Sequence, residues 1–527
     1  MTTSCLWQIY MKNIKTLNFL PPTLLLALSG LFSRLLGILR DHLLAGSFGA
    51  TNGEGIYNFD TYYAAFRIPD LLYNLLIFGA ISAAFIPIFT QYKKSNDSEN
   101  AWKFASSMLH LMMIGILILS SIAFLFAPQL AKAVAGGFTG ESFDLTVKLM
   151  RIMLISPILF TLSSVLVSIQ DSFKCFLFRS IGPLFYNLGI IGGILFFGEK
   201  FGVVGVTWGV IIGALLQLIV QLPALWQVGY KHFWILGKDR QDVQKAFKLI
   251  IPRVLGLSLN QLTLIINTFI ASFLMTGSIT IFYLADNLQA LPLGMIGIAF
   301  AITSFATLAE LASEPNSDAF AGELKNVVQK IIFLTLPATI GMLLLRDQII
   351  NVVLVSGKFS ADDAVLTAQV LGFLLISLVA QSLIPLLSRG FYAYHNTKTP
   401  VLTALTGAVI SIFGSYVLAI QFELGVVGIA IAFSAGTILN FILLYLFMYN
   451  KLKHNLVNWM NIFKMMIASF LMTLVVITSK KGMIFEGSTI VTNFIILVVL
   501  TIIGAGAYFL FAYLLHIPEL RSVIKRK

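Results

Sequence analysis

Apolar runs about twenty residues long recur along nearly the whole chain, from Leu20 to the last few residues. An α-helix needs a run of about that length to cross the hydrocarbon core of a membrane, which is roughly 30 Å thick. Of the 527 residues, 58% are hydrophobic and only 11% are charged, whereas soluble domains carry about 25% charged residues. The sequence therefore predicts an all-α polytopic membrane protein.

The breaks between the apolar runs predict fourteen transmembrane spans. Most lysines and arginines lie in the two tails and in the even-numbered loops. Basic loops stay on the cytoplasmic side of a membrane, so both termini are predicted to be cytoplasmic and the net charge of +12 needs no nucleic-acid partner. Met1 and Met11 are alternative starts. The predicted spans are centred near residues 33, 76, 119, 157, 187, 213, 260, 294, 340, 378, 410, 437, 470 and 503.

A weak internal repeat indicates two pseudo-symmetric lobes. "SRLLG" at Ser33–Gly37 is matched by "PRVLG" at Pro252–Gly256, and "YYAAF" is matched by "FYLAD" at nearly the same offset. Parallel repeats of this kind build two-lobed transporters. The predicted parts are a first lobe with spans 1–6 (1–230), a cytoplasmic amphipathic linker (231–248), a second lobe with spans 7–12 (249–450), and spans 13–14 with a basic tail (451–527).

The linker between spans six and seven is rich in aromatic and basic residues, in "KHFWILGKDRQDVQKAFKLI". Such a mixture suits a helix that lies on the membrane surface. An ordinary basic linker that only sets the orientation explains the same composition. Both alternatives are open at this point.

Charged residues interrupt the first span, in "SRLLGILRDHLL". At 100° per residue, Ser33, Arg34, Gly37, Arg40 and Asp41 share one helix face about 120° wide. In lipid, each charge would cost at least about 2.5–3.5 kcal/mol. The face is therefore predicted to line a central, water-containing cavity. Guanidinium groups there would suit the oxygens of a phosphate.

The main alternative for this face is an ion pair that only holds helices together, between Arg34 or Arg40 and Asp41, Asp60 or Asp70. The six histidines are scattered, and no metal-ligand spacing or catalytic motif occurs. The sequence therefore predicts a transporter that is not an enzyme and has no metal or cofactor. The predicted substrate-binding residues are Ser33, Arg34, Arg40, Asp41, Arg67, Asp70, Arg253, Gln261, Asp286 and Asn287.

Several segments together resemble one family. They include "SRLLGILRDHLLAGSFGA" in span one, "FDTYYAAFRIPDLLYNLLIFGAISAAFIPIF" in span two and "PRVLGLSLNQLTLIINTFIASFLMTGS" in span seven. They continue with "YLADNLQALPLGMIGIA", "SGKFSADDA" and "SRGFYAYHNTKTPV". From about residue 25 to 440, the chain is similar to the MurJ (MviN) lipid II flippases of the multidrug/oligosaccharidyl-lipid/polysaccharide exporter superfamily.

The resemblance implies two lobes around a central cavity, worked by alternating access. It implies a substrate, the undecaprenyl-diphosphate-linked peptidoglycan precursor, that moves from the inner to the outer leaflet of the bacterial cytoplasmic membrane. Spans thirteen and fourteen would form a groove for the lipid tail. By motif, Arg34, Arg40 and Asp41 match cavity residues of the family, and Arg67 matches a basic position in its second span. The expected partners are this substrate, membrane lipids and proteins of cell-wall synthesis.

Two further expectations concern energy and substrate. Transport would be coupled to an ion gradient or to the membrane potential, through acids such as Asp41 and Asp286. Tyr73 and Asn287 stand where the family carries basic residues, and Phe78 stands where it carries a glutamate. These departures favour, as alternatives, a flippase for another polyprenyl-diphosphate saccharide or a drug exporter of the same superfamily. A membrane scaffold or a glycosyltransferase is a more distant alternative.

Overall fold

A computed structural model of the protein describes residues 22–51, 53, 55–77, 80–238, 240–314, 317–481 and 490–524. Every regular element in these ranges is a helix, which confirms the predicted all-α class. The helices of the first half are α1 (Pro22–Phe48), α2 (Phe59–Ile77), α3 (Ala80–Lys94), α4 (Ser98–Leu125), α5 (Ala127–Val134), α6 (Gly140–Met153), α7 (Ile155–Phe173), α8 (Leu177–Gly193), α9 (Glu199–Phe201) and α10 (Val203–Gln227).

The second half is also built of helices, many of which are apolar along most of their length. They are α11 (Gln241–Ala271), α12 (Ser278–Pro292), α13 (Ala299–Leu311), α14 (Ser317–Val353), α15 (Ala361–Ile376), α16 (Leu378–Ala393), α17 (Lys398–Tyr416), α18 (Gly425–Leu452), α19 (Trp459–Lys481), α20 (Ile490–Leu514) and α21 (Pro518–Ile524).

Ten helices or continuous helix runs within the described residues are long and apolar enough to cross a membrane. An eleventh is the pair α15 and α16, which meet at 44°. The predicted spans that fall outside this set are the first, second and seventh, which are also the ones that carry the arginines of the predicted site. The helix pattern is therefore consistent with fourteen spans, although length and apolarity alone do not establish that number.

Local sequence signals explain where individual helices begin. Ser360 caps α15, because its hydroxyl accepts the backbone N–H of Asp363 at 3.0 Å while the Asp363 carboxylate accepts the N–H of Ser360 at 3.0 Å. This reciprocal cap satisfies two of the N–H groups that a helix start leaves without partners. The motif "SGKFSADDA" is thus a helix start, in addition to being a family resemblance.

The linker after span six contains no helix between residues 231 and 238. Helix α11 begins at Gln241 and runs without a break into the seventh span. The predicted linker (231–248) is thus non-helical over residues 231–238 and helical from Gln241, where it forms the first turns of α11. Both alternatives for the linker stay predictions. The non-helical stretch has a local cause, because Gly237, four residues before α11 begins, adopts a positive φ of 60°, which lies outside the α-helical region.

Contacts divide the chain into two compact units. The first holds the described residues up to Ile279 together with Ser356–Lys358, and the second holds Thr280–Val355 and the described residues from Phe359 onward. Helix α11 packs against α2 and α3 in the first unit, although the sequence assigned its span to the second lobe. The predicted lobe boundaries stay a prediction.

Each unit has its own apolar core. In the first unit, aromatic rings of α3, α4 and α7 pack against one another, among them Phe89, Trp102 and Phe173, which are at most 3% exposed. In the second unit, α14, α16, α18, α19 and α20 meet around fully or nearly fully buried side chains such as Phe333 and Tyr508. The Tyr508 hydroxyl donates to the Phe333 carbonyl at 2.8 Å, so this buried polar group has a partner.

Candidate substrate site

An asparagine of α8 joins the charged face of α1. Arg40 donates from Nε and Nη2 to one carboxylate oxygen of Asp41, at 3.0 and 2.8 Å. Its Nη1 donates to Oδ1 of Asn187 at 3.3 Å. The Asn187 amide nitrogen in turn donates to the backbone carbonyl and the hydroxyl of Ser33, at 3.2 and 3.3 Å. Since the guanidinium is planar, partners on two of its edges fix its orientation.

The burial pattern of α1 matches this arrangement. The side chains of Arg40 and Asp41 are only 17% and 8% exposed. Leu35 and Leu39, which point in other directions from the helix, are 50% and 45% exposed. The polar face of α1 is therefore turned toward α8 and the apolar faces are turned outward. Arg34 lies on the same face, half-buried and about 9 Å from Arg40 along the helix axis.

The ion pair at this site joins neighbours on one helix. Among the described residues, the recorded ion pair of Arg40 is with Asp41, whereas Asp60 accepts the backbone N–H of Gly277 at 2.8 Å. This pair orients Arg40, and Asn187 contributes a neutral contact between α1 and α8. The ion pair between helices stays an alternative prediction.

A second buried arginine lies on α2. Arg67 is 7% exposed, and its Nε donates to the hydroxyl of Thr268 on α11 at 2.8 Å. That hydroxyl donates onward to the Leu264 carbonyl at 2.8 Å. Asp70 follows Arg67 by one helical turn and is half-buried. This part of the predicted site thus joins spans two and seven within the first unit.

The remaining predicted residues are spread over both units. Gln261 is half-buried on α11, while Asp286 and Asn287 are half-buried on α12 of the second unit. Arg253 belongs to α11, but its side chain lies outside the part of the chain that the structure describes, as does Phe78. The structure therefore groups Ser33, Arg40 and Asp41 around one asparagine and leaves the roles of the other predicted residues as predictions.

Tyr73, which replaces a basic residue of the family pattern, has an aromatic partner. Its ring packs against that of Phe160 with the centroids 5.0 Å apart. An arginine or lysine at this position would place a charge against that aromatic ring. The departure from the family pattern is therefore part of a packed aromatic contact between α2 and α7.

Sequence reasoning missed two residues of the site, Asn187 and Thr268. Both are polar residues in the middle of apolar runs, and both are buried, at 7% and 3% exposure. Buried polar side chains are nearly always hydrogen-bonded, so each of them signals a partner. The sequence does not indicate which partner, because the contacts cross from one span to another.

An apolar cavity of about 300 Å³ lies in the second unit between α14, α19 and α20. Gly341 and Gly504 leave room in two of its walls, and Thr501 is a rare polar residue in the lining. It lies between the ninth, thirteenth and fourteenth spans, and the groove for a lipid tail expected at spans thirteen and fourteen stays a prediction. The lining can hold a hydrocarbon chain by burial of apolar surface.

Apolar helices in two units, with arginines held inside spans by polar partners, define a multi-pass helical membrane protein. Solved structures share this fold. One is a "Lipid II flippase MurJ, inward closed conformation", with a TM-score of 0.78 and 23% identity, covering 95% of this chain and 100% of that chain. Another is an inward-facing multidrug resistance MATE family transporter of the MOP superfamily, with a TM-score of 0.64 and 16% identity, covering 80% and 94%.

The family follows from sequence comparison. A family model described as "Lipid II flippase MurJ" matches residues 48–512. The "Probable lipid II flippase MurJ" of Buchnera aphidicola subsp. Acyrthosiphon pisum is 31% identical over 82% of this chain and 84% of its own length. That of Thermotoga maritima is 30% identical over 96% and 98%. The chain belongs to the MurJ family, which confirms the resemblance seen in its motifs.

Proposed function

We propose that this protein moves the undecaprenyl-diphosphate-linked peptidoglycan precursor, lipid II, from the inner to the outer leaflet by alternating access. The membrane is the bacterial cytoplasmic membrane, with both termini on the cytoplasmic side. The protein makes and breaks no covalent bond of its substrate. Membership of the MurJ family supports this proposal, together with the geometry around Arg40.

The single observation that carries the proposal is the fixed orientation of Arg40. A diphosphate is a multiply charged anion, and guanidinium binds phosphate oxygens through paired hydrogen bonds. Because Asp41 and Asn187 already hold the Arg40 side chain, little further side-chain entropy is lost when an anion binds. Arg34, about two helical turns away, extends the cationic surface along α1.

The second unit contains a cavity whose lining suits a lipid tail. Lipid II combines an anionic head with a long isoprenoid tail. The cavity between α14, α19 and α20 offers apolar surface for part of such a tail.

Repeated transport requires a source of energy and other proteins that supply and consume the substrate. A ligand drives a conformational change only through unequal binding to the two states. We expect that a proton or ion gradient, or the membrane potential, acts on acids of the spans such as Asp41 and Asp286 to make transport directional. Proteins of cell-wall synthesis would supply and consume the substrate.

A second candidate substrate is another polyprenyl-diphosphate saccharide. The observation that favours it is the aromatic packing of Tyr73 against Phe160 where the family pattern has a cation. One basic group fewer near span two would change the contacts to the sugar or peptide and would leave the diphosphate contacts of α1 intact. Both candidates share the Arg40 requirement.

Rescue of a flippase-depleted bacterium tests the proposal. The wild-type gene should restore growth and restore the access of an external probe to lipid II. Arg40→Gln should fail at both while reaching the membrane in normal amount. Arg346→Gln is the matched control, because Arg346 also lies inside a helix beside an aspartate, with 3.7 Å between Arg346 Nε and Asp347 Oδ1. Growth without lipid II accessibility would favour the other saccharide, and full rescue by Arg40→Gln would contradict the proposal.

A further inference from the structure

A charged cleft of about 500 Å³ lies between the end of α4 and one face of α6, well separated in sequence from the substrate site. Phe124 forms one wall, and Asp144, Lys148 and Arg151 lie at successive turns of the opposite helix. Ile155 also lines it. The lining thus combines two cations and a carboxylate with hydrocarbon side chains.

The cleft lies where a membrane meets water. The run from Ile152 to Gln170 contains no charged residue, so Arg151 is the last charge before a stretch long enough to enter the hydrocarbon. On the other wall, Phe124 and its neighbours Leu125 and Phe126 are 47%, 71% and 54% exposed at the end of a membrane-crossing helix. Lipid headgroups occupy this level of a bilayer.

The Arg151 side chain is held in place by Phe124. Its guanidinium carbon lies 5.1 Å above the center of the Phe124 ring, and its Nε donates to the Phe124 carbonyl at 3.4 Å. A cation over an aromatic face is attracted by the ring quadrupole. This contact uses Nε, and the two terminal nitrogens of the guanidinium are further donors of the kind that suits phosphate oxygens.

Lys148 and Asp144 are spaced for an ion pair but do not form one. They are four residues apart on α6, a spacing at which opposite charges commonly meet. Within the described residues, neither takes part in an ion pair shorter than 4.0 Å, and both are exposed. The cleft therefore presents two cations and one anion that remain available to a ligand.

We propose that this cleft binds the headgroup of a phosphatidylethanolamine-type phospholipid. The phosphate would lie between Lys148 and Arg151, the ammonium group would lie against Asp144, and an acyl chain would follow Phe124 and Ile155. Asp144 would select the headgroup, because its carboxylate attracts the ammonium group of phosphatidylethanolamine and gains no charge attraction from the uncharged glycerol of phosphatidylglycerol. On the predicted orientation of the spans, this is a site for a lipid of the outer leaflet.

Ordinary snorkelling of basic side chains to the interface is the simpler explanation of the same cations. It differs in its consequences, because snorkelling gives no preference among phospholipids that share a phosphate and requires no carboxylate. Discrimination between headgroups, and its dependence on Asp144, therefore separates the two explanations. The proposal stands independently of the transported substrate.

The experiment is native mass spectrometry of the full-length protein released from vesicles that contain equal amounts of phosphatidylethanolamine and phosphatidylglycerol. The wild-type protein should retain phosphatidylethanolamine preferentially. Lys148→Gln with Arg151→Gln should weaken that retention about tenfold or more, since a lost charge-assisted hydrogen bond is worth at least about a factor of ten. Asp144→Asn should keep phospholipid binding but lose the preference for ethanolamine.

Lys200→Gln is the matched control, because Lys200 also lies at a helix end over an exposed ring, 5.6 Å from the Phe201 centroid. It should bind lipid as the wild-type protein does. The proposal is overturned if the Lys148→Gln/Arg151→Gln variant retains as much phosphatidylethanolamine as the wild type, or if Asp144→Asn keeps the preference. Competition by soluble glycerophosphoethanolamine as effective as that by the intact lipid would also overturn it, since the ligand would then be a free phosphate ester.

Discussion

Asp41→Asn should destabilise the protein, and adding Arg40→Gln to the same chain should restore stability without restoring transport. In the wild-type protein, two N–H groups of Arg40 donate to one Asp41 oxygen, and the arginine side chain is only 17% exposed. Neutralising Asp41 leaves the largely buried arginine charge with a hydrogen-bond acceptor but without its carboxylate counter-charge. In the double variant no charge is left, so the penalty disappears.

The magnitude follows from burial. Breaking a fully buried ion pair by removing one partner costs about 3–5 kcal/mol. Residual exposure of Arg40 and the oxygen that asparagine retains reduce this to about 1–3 kcal/mol for Asp41→Asn. Replacing both partners with neutral residues of similar shape is often nearly neutral, so the double variant should lie within about 1 kcal/mol of the wild type.

The assay combines denaturation of the purified protein with flipping of a labelled lipid-diphosphate saccharide in proteoliposomes. A double-mutant cycle over the four proteins isolates the coupling between the two side chains. The account predicts a favourable coupling energy together with loss of flipping in both proteins that lack Arg40. Recovery of flipping by the double variant would refute it, because the pair would then have only a structural role.

Three further predictions concern other parts of the chain. Asn187→Leu should lower flipping roughly five- to thirty-fold, with a loss of about 1–2 kcal/mol of stability, since it removes the partner of Arg40 Nη1; equal flipping would show that Asn187 does not position Arg40. Gly341→Leu should fill the apolar cavity and slow flipping while folding persists, since a Cβ added there meets no neighbouring atom within 4 Å, and Gly115→Leu, equally open at Cβ but outside the cavity, is the control. Burial lowers the pKa of His232 below its ordinary 6.5, and the nearby His110 adds to the effect. Neutral His232 therefore helps to hold the linker in place above pH 6.5, and this stabilisation is lost as the pH falls from 6.5 through the lowered pKa. Hydrogen exchange of residues 231–236, corrected for its intrinsic pH dependence, should accelerate on acidification in the wild type and stay flat in His232→Gln.

The sequence predicted the all-α class and the polar face of α1 because both depend on local periodicity. Ser33, Arg40 and Asp41 fall on one side of a helix by spacing alone, and the cost of charge in lipid requires that side to face protein. The family resemblance followed from several motifs that occur in order along the chain, and the family model that matches residues 48–512 confirms it.

The partners of these side chains could not be predicted in the same way. Asn187 lies 154 residues after Ser33 along the chain, and Thr268 lies 201 residues after Arg67, so both contacts depend on how the spans pack. The linker shows a second limit. Its aromatic and basic composition does not indicate that residues 231–238 are non-helical and held by tertiary contacts, such as the hydrogen bond from the Phe233 N–H to the Ser106 hydroxyl at 3.0 Å.

Flipping of a lipid-diphosphate saccharide by the purified protein is the most direct test of the claim that Arg40 binds the anionic head. The account predicts flipping by the wild type and by Arg346→Gln, partial flipping by Arg40→Lys, which keeps the charge without the planar fork, and none by Arg40→Gln. Equal flipping by Arg40→Gln and the wild type, with equal amounts of protein in the vesicles, would contradict it.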